Sequence, residues 1–379
     1  MRVEVTTRFR PSPNPLPEGE GFIGLHGRKT FAGIAAVVVF LVLRRFLLVV
    51  FLTAKILGYP GALNAWEGAV DRRTIAHDGI PVDIYRGPNS TSPILIVHGV
   101  NPTGKNSLDL IRISEGLAQV GYEVFVPDLA HLKKQHLRPE DADSVRSVFQ
   151  FIGRDAGIAC FSYGCGPALI AASHADIRNK VRFAVDFGGY YDIRELLEFT
   201  VTEPENPIAY SKWVYLAANS DLLSDKTEQE RVRLIAEKRL AGGAGDSKKD
   251  EENLSPEATG LLSIFSATTS ADFRTKLAAT PESFQKTLDA LSPSHYVDGL
   301  RAPLVLIHLA HDPSIPAKQS IELAEVARAR GIDRRLTLLQ MYGHTYPALP
   351  EPGFASIIDF YIPEAVRFLG VIDHVIAIR

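Results

Sequence analysis

The chain has 379 residues, of which 46% are hydrophobic, and a formal net charge of −3 at pH 7. This length allows one large domain or two ordinary ones, each with a substantial apolar core. The nearly balanced charge gives no electrostatic basis for a nucleic-acid partner. The only two cysteines, Cys160 and Cys165, indicate neither a disulfide framework nor a zinc site.

The N-terminal region combines a polar segment with a strongly apolar one. Residues 1–30 are rich in proline and glycine and lack an apolar period, so we predict a disordered segment. Residues 31–58 are predicted to form an apolar helix that is long enough to span a bilayer. Arg44 and Arg45 near its middle oppose insertion, but the apolar residues around them offset that cost. The favoured interpretation is a single-pass membrane anchor.

Two other interpretations of this helix remain open. One is a helix in the membrane interface, with Arg44, Arg45 and Lys55 reaching the headgroups. The other is a buried helix of a soluble protein. A cleaved signal peptide is disfavoured because no small-residue cleavage site follows the apolar run that ends at Leu43. Basic residues are more numerous before the span than after it, which predicts the main domain on the non-cytoplasmic side.

Strand-length apolar runs alternate with helical patterns over residues 65–190 and again over 301–379. This alternation predicts an α/β fold: a doubly wound, mostly parallel sheet with helices on both faces. The predicted strands are 74–76, 81–86, 93–98, 122–127, 157–161, 181–187, 303–310 and 336–341. Residues 191–300 are polar and helix-rich, and we predict that they form a helical cap inserted over the carboxyl ends of the strands, where ligands bind.

A serine stands at a tight junction between a strand and a helix. Ser162 follows the buried run GIACF and precedes a helix of small residues. The residues two before and two after it, Cys160 and Gly164, are small, as the crowded turn of a nucleophile elbow requires. The usual first glycine of that motif is here a cysteine. A serine that merely caps an ordinary helix is the alternative.

Two further polar residues follow later predicted strands. Asp312 comes after PLVLIHLAH, and His344 comes after LTLLQMYG. A serine hydroxyl needs a neighbouring base, histidine has a suitable pKa, and a carboxylate orients the histidine. Because the carboxyl ends of parallel strands meet at one edge, we expect Ser162, His344 and Asp312 to converge. Asp186, at the end of another strand, is the alternative acid.

The order Ser, Asp, His resembles that of the α/β-hydrolase superfamily. The resemblance covers about residues 80 to 370. Within the superfamily, the chain is most similar to the dienelactone-hydrolase and prolyl-oligopeptidase-like branches. Four motifs carry it: the His98-Gly99 loop, the elbow at 160–164, the turn at 312–316 and Gly343-His344. The resemblance implies a serine nucleophile, a catalytic triad and an oxyanion hole.

The implied oxyanion hole is assigned to two backbone N–H groups. One belongs to Tyr163, directly after the candidate nucleophile, and the other to Val100. Asn101 is the substitute for Val100, whereas Pro102 has no N–H to donate. His98, at the start of the same loop, is predicted to be a hydrogen-bonded core residue.

The activity expected from these residues is hydrolysis of carboxylic esters. Ser162 would form an acyl-enzyme, with His344 as general base and Asp312 as orienting acid. The expected partners are a small-molecule or lipid-like ester and, through residues 31–58, a membrane, with no cofactor and no metal. Acyl transfer or peptide hydrolysis on the same triad, and a non-catalytic membrane-bound binding protein, remain alternatives because one fold hosts many functions.

Overall fold

The structure is a computed structural model that describes residues 24–58, 68–203, 211–242, 250–343, 346–347, 349–351 and 353–379. The chain divides into two compact units, Met1–Leu47 and Leu48–Arg379. Most of the predicted disordered segment, residues 1–23, lies outside the described residues, and so does His344. The predicted base therefore remains a prediction.

Eight strands form the main sheet of the described chain. They are β1 (Asp71–His77), β2 (Ile80–Arg86), β3 (Ser92–Val97), β4 (Tyr122–Pro127), β5 (Ala156–Phe161), β6 (Val181–Phe187), β7 (Leu304–Leu309) and β8 (Arg334–Leu339). Their order is β1-β2-β4-β3-β5-β6-β7-β8. The pairs β1–β2 and β2–β4 are antiparallel and the others are parallel. The predicted doubly wound, mostly parallel sheet is confirmed.

Helices connect these strands and cover both faces of the sheet. They are α1 (Gly24–Ile56), α2 (Leu108–Gln119), α3 (Ala130–Lys133), α4 (Glu140–Ile152), α5 (Cys165–Ser173), α6 (Ile193–Thr202), α7 (Ser211–Ala218), α8 (Lys226–Leu240), α9 (Pro256–Phe265), α10 (Ser270–Ala278), α11 (Glu282–Leu291), α12 (Lys318–Ala329), α13 (Phe354–Ser356) and α14 (Ile362–Ala377). Two short strands, β9 (Tyr342–Gly343) and β10 (Tyr346–Pro347), pair with each other. Helices α6 to α11 all lie between β6 and β7, within the unit that contains the sheet.

The apolar core has two layers because side chains alternate along each strand. In β3, Leu95 and Val97 join the layer that also holds residues of α4 and α5. Ile94 and Ile96 join the opposite layer, with residues of α2 and α14. Strands β3, β4 and β7 are buried almost completely, as expected for central strands covered on both faces.

Helix α1 begins at Gly24, which corrects the predicted boundary at residue 31. No proline lies in residues 24–30, so helical hydrogen bonds can extend N-terminally from the apolar run. Its segment Ala36–Ile56 has 21 residues and a mean hydropathy of 2.5, which is long and apolar enough to cross a membrane by length and composition. From Leu48 onward the helix contributes to the core, where Leu52 is fully buried.

The C-terminal helix is longer than the sequence indicates. The sequence predicts a helical stretch over 354–369 that is broken or kinked before Pro363, and α14 extends it to Ala377. An irregularity does precede Pro363, as a widened turn over Ile357–Tyr361. Pro363 follows this widened turn inside a helical run that is continuous from Phe354 to Ala377, so the proline disturbs the helix without ending it.

Candidate active site

Ser162 occupies a strained backbone position at the carboxyl end of β5. Its φ is +53°, in the left-handed region that side chains other than glycine rarely adopt. The turn Ser162–Gly164 leads directly into α5. Such a conformation costs about 1 to 2 kcal/mol, and it persists only where the surrounding structure imposes it. A serine that capped an ordinary helix would have extended backbone, so the alternative of a simple cap does not fit.

Two glycines allow the loop after β3 to pack against this turn. A Cβ on Gly164 would collide with the carbonyl oxygen of His98. A Cβ on Gly99 would lie 3.0 Å from Cβ of Ser162 and 3.0 Å from the carbonyl oxygen of Phe161. The small residue two positions after Ser162 is therefore needed for close approach of backbone to backbone.

Cys160 and Cys165 form a disulfide that brackets Ser162. The sequence does not predict it, because two cysteines five residues apart would be separated along a regular strand or helix. The sharp turn at Ser162 instead folds the chain back and brings their Cα atoms to 4.9 Å, within the normal range for a disulfide. The cysteine that replaces the usual glycine is fully buried, and its side chain is accommodated by this bond.

Asp312 lies just beyond β7 and is 5% exposed. Its Oδ1 accepts hydrogen bonds from the backbone N–H groups of Ser314 (2.8 Å) and Ile315 (3.0 Å), which fix the turn. Its Oδ2 lies 4.0 Å from Nε2 of His308. That imidazole is fully engaged, with Nε2 donating to the carbonyl of Ile315 and Nδ1 accepting from Ser320. His308 therefore supports the Asp312 turn from within the core.

Two cavities meet at Ser162. The front cavity, of about 470 Å³, is lined by the loop after β3, the elbow and α7, and includes Val100, Ser162, Tyr163 and Tyr215. The rear cavity, of about 400 Å³, lies on the α2 and α14 side of the sheet and is lined by Ser162, Asp312 and mainly aliphatic residues. Both volumes are typical of small-molecule sites. The structure thus brings Ser162 and Asp312 to one cavity.

Among the histidines whose side chains the structure describes, only His98 lines either cavity. Its Nδ1 donates to the carbonyl of Gly99 (2.7 Å) and its Nε2 accepts from the N–H of Leu129 (3.0 Å). Burial lowers the pKa of His98. With both ring nitrogens occupied and a neutral imidazole, His98 is a structural residue, as predicted, and cannot serve Ser162 as a base.

The two predicted oxyanion-hole residues, Val100 and Tyr163, line the front cavity beside Ser162. The N–H of Tyr163 lies in the turn that opens α5, where helix-terminal N–H groups favour negative charge. Its ring packs 5.3 Å from that of Tyr215, and burial raises the pKa of Tyr163. The substitute donor, Asn101, uses its side-chain oxygen within its own loop, where it accepts from Thr103.

Asp186, the alternative acid, is not among the residues that line either cavity, although its neighbours Val185 and Phe187 line the rear one. Burial raises the pKa of Asp186 to about 7, although a hydrogen bond from the N–H of Gly189 opposes that shift. Its carboxylate lies within 4.8 Å of the sulfurs of Cys160 and Cys165, the one candidate metal-ligand cluster in the described residues. Those sulfurs are already joined in the disulfide, so they are not available as thiolate ligands.

A buried ionic cluster beneath the loop of Val100 is not evident in the sequence. Lys105 donates to Oδ1 of the fully buried Asp83 (2.8 Å), which also accepts from Thr74 (2.6 Å) and Arg72. Burial raises the pKa of Asp83, but the bonds from Lys105, Thr74 and Arg72 outweigh it and lower the pKa overall. No motif signals this pairing, because its members come from β1, β2 and a loop.

The strand order, with a strained serine after β5 and a buried acid after β7, defines an α/β-hydrolase fold. No protein-family model matches the chain. No curated protein sequence matches it either.

Several solved structures are similar to this one. Acylaminoacyl peptidase of Pyrococcus horikoshii is similar with a TM-score of 0.46 and 15% identity, over 76% of this chain and 40% of that one. A puromycin-hydrolyzing peptidase of Mycobacterium tuberculosis gives 0.45 and 14%, over 82% and 38%. EstE5, in a crystal soaked with p-nitrophenyl butyrate, gives 0.42 and 13%, over 83% and 89%. The chain spans less than half the length of the two peptidases. The fold assignment rests on the strand order.

Proposed function

We propose that this protein is a serine hydrolase that cleaves carboxylic esters through an acyl-enzyme on Ser162. The observation that carries this proposal is the strained Ser162 on a wall shared by two cavities, one of which also contains Asp312. Strain at a buried turn is retained where function requires it. A binding protein would need neither the left-handed serine nor a buried carboxylate that lines the same cavity.

The proposed mechanism uses His344 as general base. It removes the proton from Ser162 as Oγ attacks the ester carbonyl, and Asp312 orients the imidazole and stabilises its charged form. The N–H groups of Val100 and Tyr163 stabilise the tetrahedral oxyanion, and each such donor is typically worth about 3 kcal/mol. His344 then protonates the leaving alcohol, and a water activated by the same histidine releases the acid.

We also propose that α1 is a single-pass anchor and that the hydrolase unit lies on the non-cytoplasmic side of the membrane. The apolar segment Ala36–Ile56 and the greater number of basic residues before it support this arrangement. The disulfide between Cys160 and Cys165 adds support, because disulfides persist in oxidising compartments and are rare in the cytosol. Protease added to sealed, right-side-out vesicles should digest the unit; full protection of the unit would contradict this orientation.

The catalytic proposal is tested by labelling with a fluorophosphonate probe and by turnover of p-nitrophenyl esters. Wild type should be labelled and active, and Ser162→Ala should lose both. Ser144→Ala, on the surface of α4, is the matched control and should behave as wild type. Labelling that persists in Ser162→Ala would overturn the assignment of the nucleophile.

The same assays separate the alternatives. Labelling of Ser162 without turnover of any ester would favour a peptidase or an acyltransferase on the same residues. Absence of both labelling and turnover in the wild-type chain would favour a non-catalytic binding protein.

A further inference from the structure

The mechanism at Ser162 gives no role to most of the rear cavity. Its volume is about 400 Å³. One wall is the face of the sheet that carries Ile96, Ala159 and Val185, and the facing wall includes Leu52 of α1 and Phe368 of α14. A cavity of this size within otherwise well-packed apolar layers requires an explanation, because protein interiors contain few voids larger than a water molecule.

The lining indicates what the rear cavity holds. Most of its lining residues are aliphatic or aromatic, and an empty apolar void lowers stability in proportion to its volume. Two of its charged lining residues, Asp109 and Arg112, are paired with each other, and Asp312 is held by backbone N–H groups. The described walls therefore favour a mainly apolar occupant.

The strand register gives the depth of the cavity. Ile94, which lines it, pairs in register with Gly157, five residues before Ser162. At about 3.3 Å per residue, the cavity therefore extends about 16 Å along the sheet from the level of Ser162. This is an elongated space that begins at the candidate nucleophile, which is the shape that an extended alkyl chain needs.

The front cavity meets this space at a shared wall. Asp109, Ile113, Phe161 and Ser162 line both cavities. The front cavity is the more polar of the two, with Asn101, Ser107, Gln135 and Ser314 among its lining residues. An ester whose carbonyl carbon lies at Oγ of Ser162 would extend one arm into each cavity.

We propose that the rear cavity binds the acyl chain of the substrate and the front cavity binds its alcohol. This inference rests on the proposed function and names its substrate class: esters that join an unbranched fatty acyl chain to a polar alcohol. The wall formed by Leu52 and Ile56 belongs to the same helix as the candidate membrane span, as suits a substrate with a lipid-like arm. The acyl chain enters along the sheet, on the side opposite α4, α5 and α12.

The first test is the acyl-length profile of the full chain on p-nitrophenyl acetate, butyrate, octanoate and dodecanoate. Because the leaving alcohol is constant, differences in kcat/KM report the acyl arm alone. Each methylene buried in an apolar site is worth up to about fourfold in kcat/KM, so we expect octanoate to exceed butyrate by at least about tenfold. A profile that peaks at acetate or butyrate would overturn the inference.

The second test fills the cavity. Ala159→Leu places three more carbons on its wall and should lower the octanoate-to-butyrate ratio of kcat/KM by at least about tenfold. Both rates are measured on the same preparation, so a smaller folded fraction lowers them equally and leaves their ratio unchanged. Val185→Phe is the second variant if Ala159→Leu does not fold. Ala175→Leu, an exposed alanine outside both cavities, is the matched control and should keep the wild-type ratio. An unchanged ratio in the filled variants would overturn the inference.

A binding measurement separates failure of the inference from failure of the proposed function. Ser162→Ala cannot turn over substrate, but its rear cavity should bind a fluorescent fatty acid such as cis-parinaric acid, and Ala159→Leu on that background should weaken the binding. If the fatty acid binds but the wild type turns over no ester, the acyl site is supported and the proposed esterase activity is rejected. Ester turnover without any such binding would reject the acyl site alone.

Discussion

The backbone of Ser162 is held in the left-handed region by what packs around it. The loop after β3 lies against the turn on one side, where Gly164 meets the carbonyl of His98. On the other side the disulfide joins Cys160, before the turn, to Cys165, after it. Both restraints are needed to keep the hydroxyl of Ser162 at a fixed position between the two cavities.

We predict that Gly164→Ala loses activity through geometry. The added Cβ overlaps the His98 carbonyl, so the elbow or the loop must shift. Overpacking of this kind costs about 1 to 3 kcal/mol, and a displacement of about 1 Å at a nucleophile lowers the rate about a hundredfold. Urea unfolding and the rate of fluorophosphonate labelling measure the two effects.

The matched control is Gly260→Ala, within α9. A Cβ there has no atom within 4 Å, and alanine favours helix over glycine by about 0.5 to 1 kcal/mol. It should be neutral or stabilising and should label at the wild-type rate. Equal labelling rates for Gly164→Ala and wild type would refute the steric role given to Gly164.

Because Asp186 is buried, we predict that the free energy of unfolding falls as the pH rises. Its pKa is about 7 in the folded chain against an ordinary value of 3.8, because burial disfavours the charge. Between about pH 4 and pH 7 the unfolded state binds fewer protons than the folded state, so the free energy of unfolding falls with increasing pH. Asp186→Asn should remove that slope and stabilise the protein at pH 8.

This prediction is measured by urea unfolding at several pH values. Asp155→Asn, at an exposed position, is the control and should retain the wild-type slope. If Asp186→Asn and wild type lose stability in parallel between pH 4 and pH 8, the buried carboxyl is not the cause.

At the scale of elements, a buried ion pair fixes the loop between β3 and α2 to strand β2. Lys105 in this loop bonds to Asp83 of β2, which also accepts from Thr74 of β1. The pair therefore ties the edge of the sheet to the loop that carries Val100. Lys105 acts on the candidate oxyanion hole only as a positioning residue.

We predict that Lys105→Met destabilises the protein by about 3 kcal/mol, because it removes the ammonium from a buried carboxylate. The double variant Lys105→Met with Asp83→Leu should recover much of that loss, since the buried carboxylate is then gone and Arg72, which loses the same partner, is one-third exposed to solvent. Thermal unfolding measures both. A double variant less stable than either single variant would show that the cluster contributes through packing rather than charge.

Elements were more predictable from the sequence than the contacts between them. The buried strands are continuous apolar runs, so β4 and β6 have the predicted bounds. The Lys105–Asp83 pair could not be predicted, because its members are 22 residues apart and meet only once the sheet is formed. The Cys160–Cys165 disulfide depends in the same way on the turn at Ser162.

At the scale of the whole molecule, α1 belongs to both units. Its apolar residues before Leu48 are largely exposed, such as Phe40 at 64%. Val49, Phe51 and Leu52 are buried in the layer that also contains Phe368 of α14. The candidate span therefore overlaps the core of the unit Leu48–Arg379 over residues 48–56, and residues 36–47 are the exposed part that is left to contact a membrane.

Two truncations should separate these roles. A chain that begins at Leu48 should fold and should no longer sediment with membranes. A chain that begins after residue 58 also lacks Val49, Phe51 and Leu52, and the loss of several large core side chains, each worth about 2 to 5 kcal/mol, should lower its unfolding temperature sharply. Sedimentation after carbonate extraction and thermal unfolding measure the two effects. Membrane sedimentation of the chain that begins at Leu48 would place the anchor elsewhere.

The sequence by itself determined the alternation of strands and helices, the helical insertion between β6 and β7, and the positions of Ser162 and Asp312 at strand ends. These features are local, because hydrophobic period and turn residues are written in consecutive positions. The tertiary structure alone decided the left-handed backbone of Ser162, the disulfide around it, the exclusion of Asp186 from the cavity walls and the rear cavity behind the sheet. Each of these depends on segments distant in sequence coming into contact, and their distances follow from packing rather than from any local pattern.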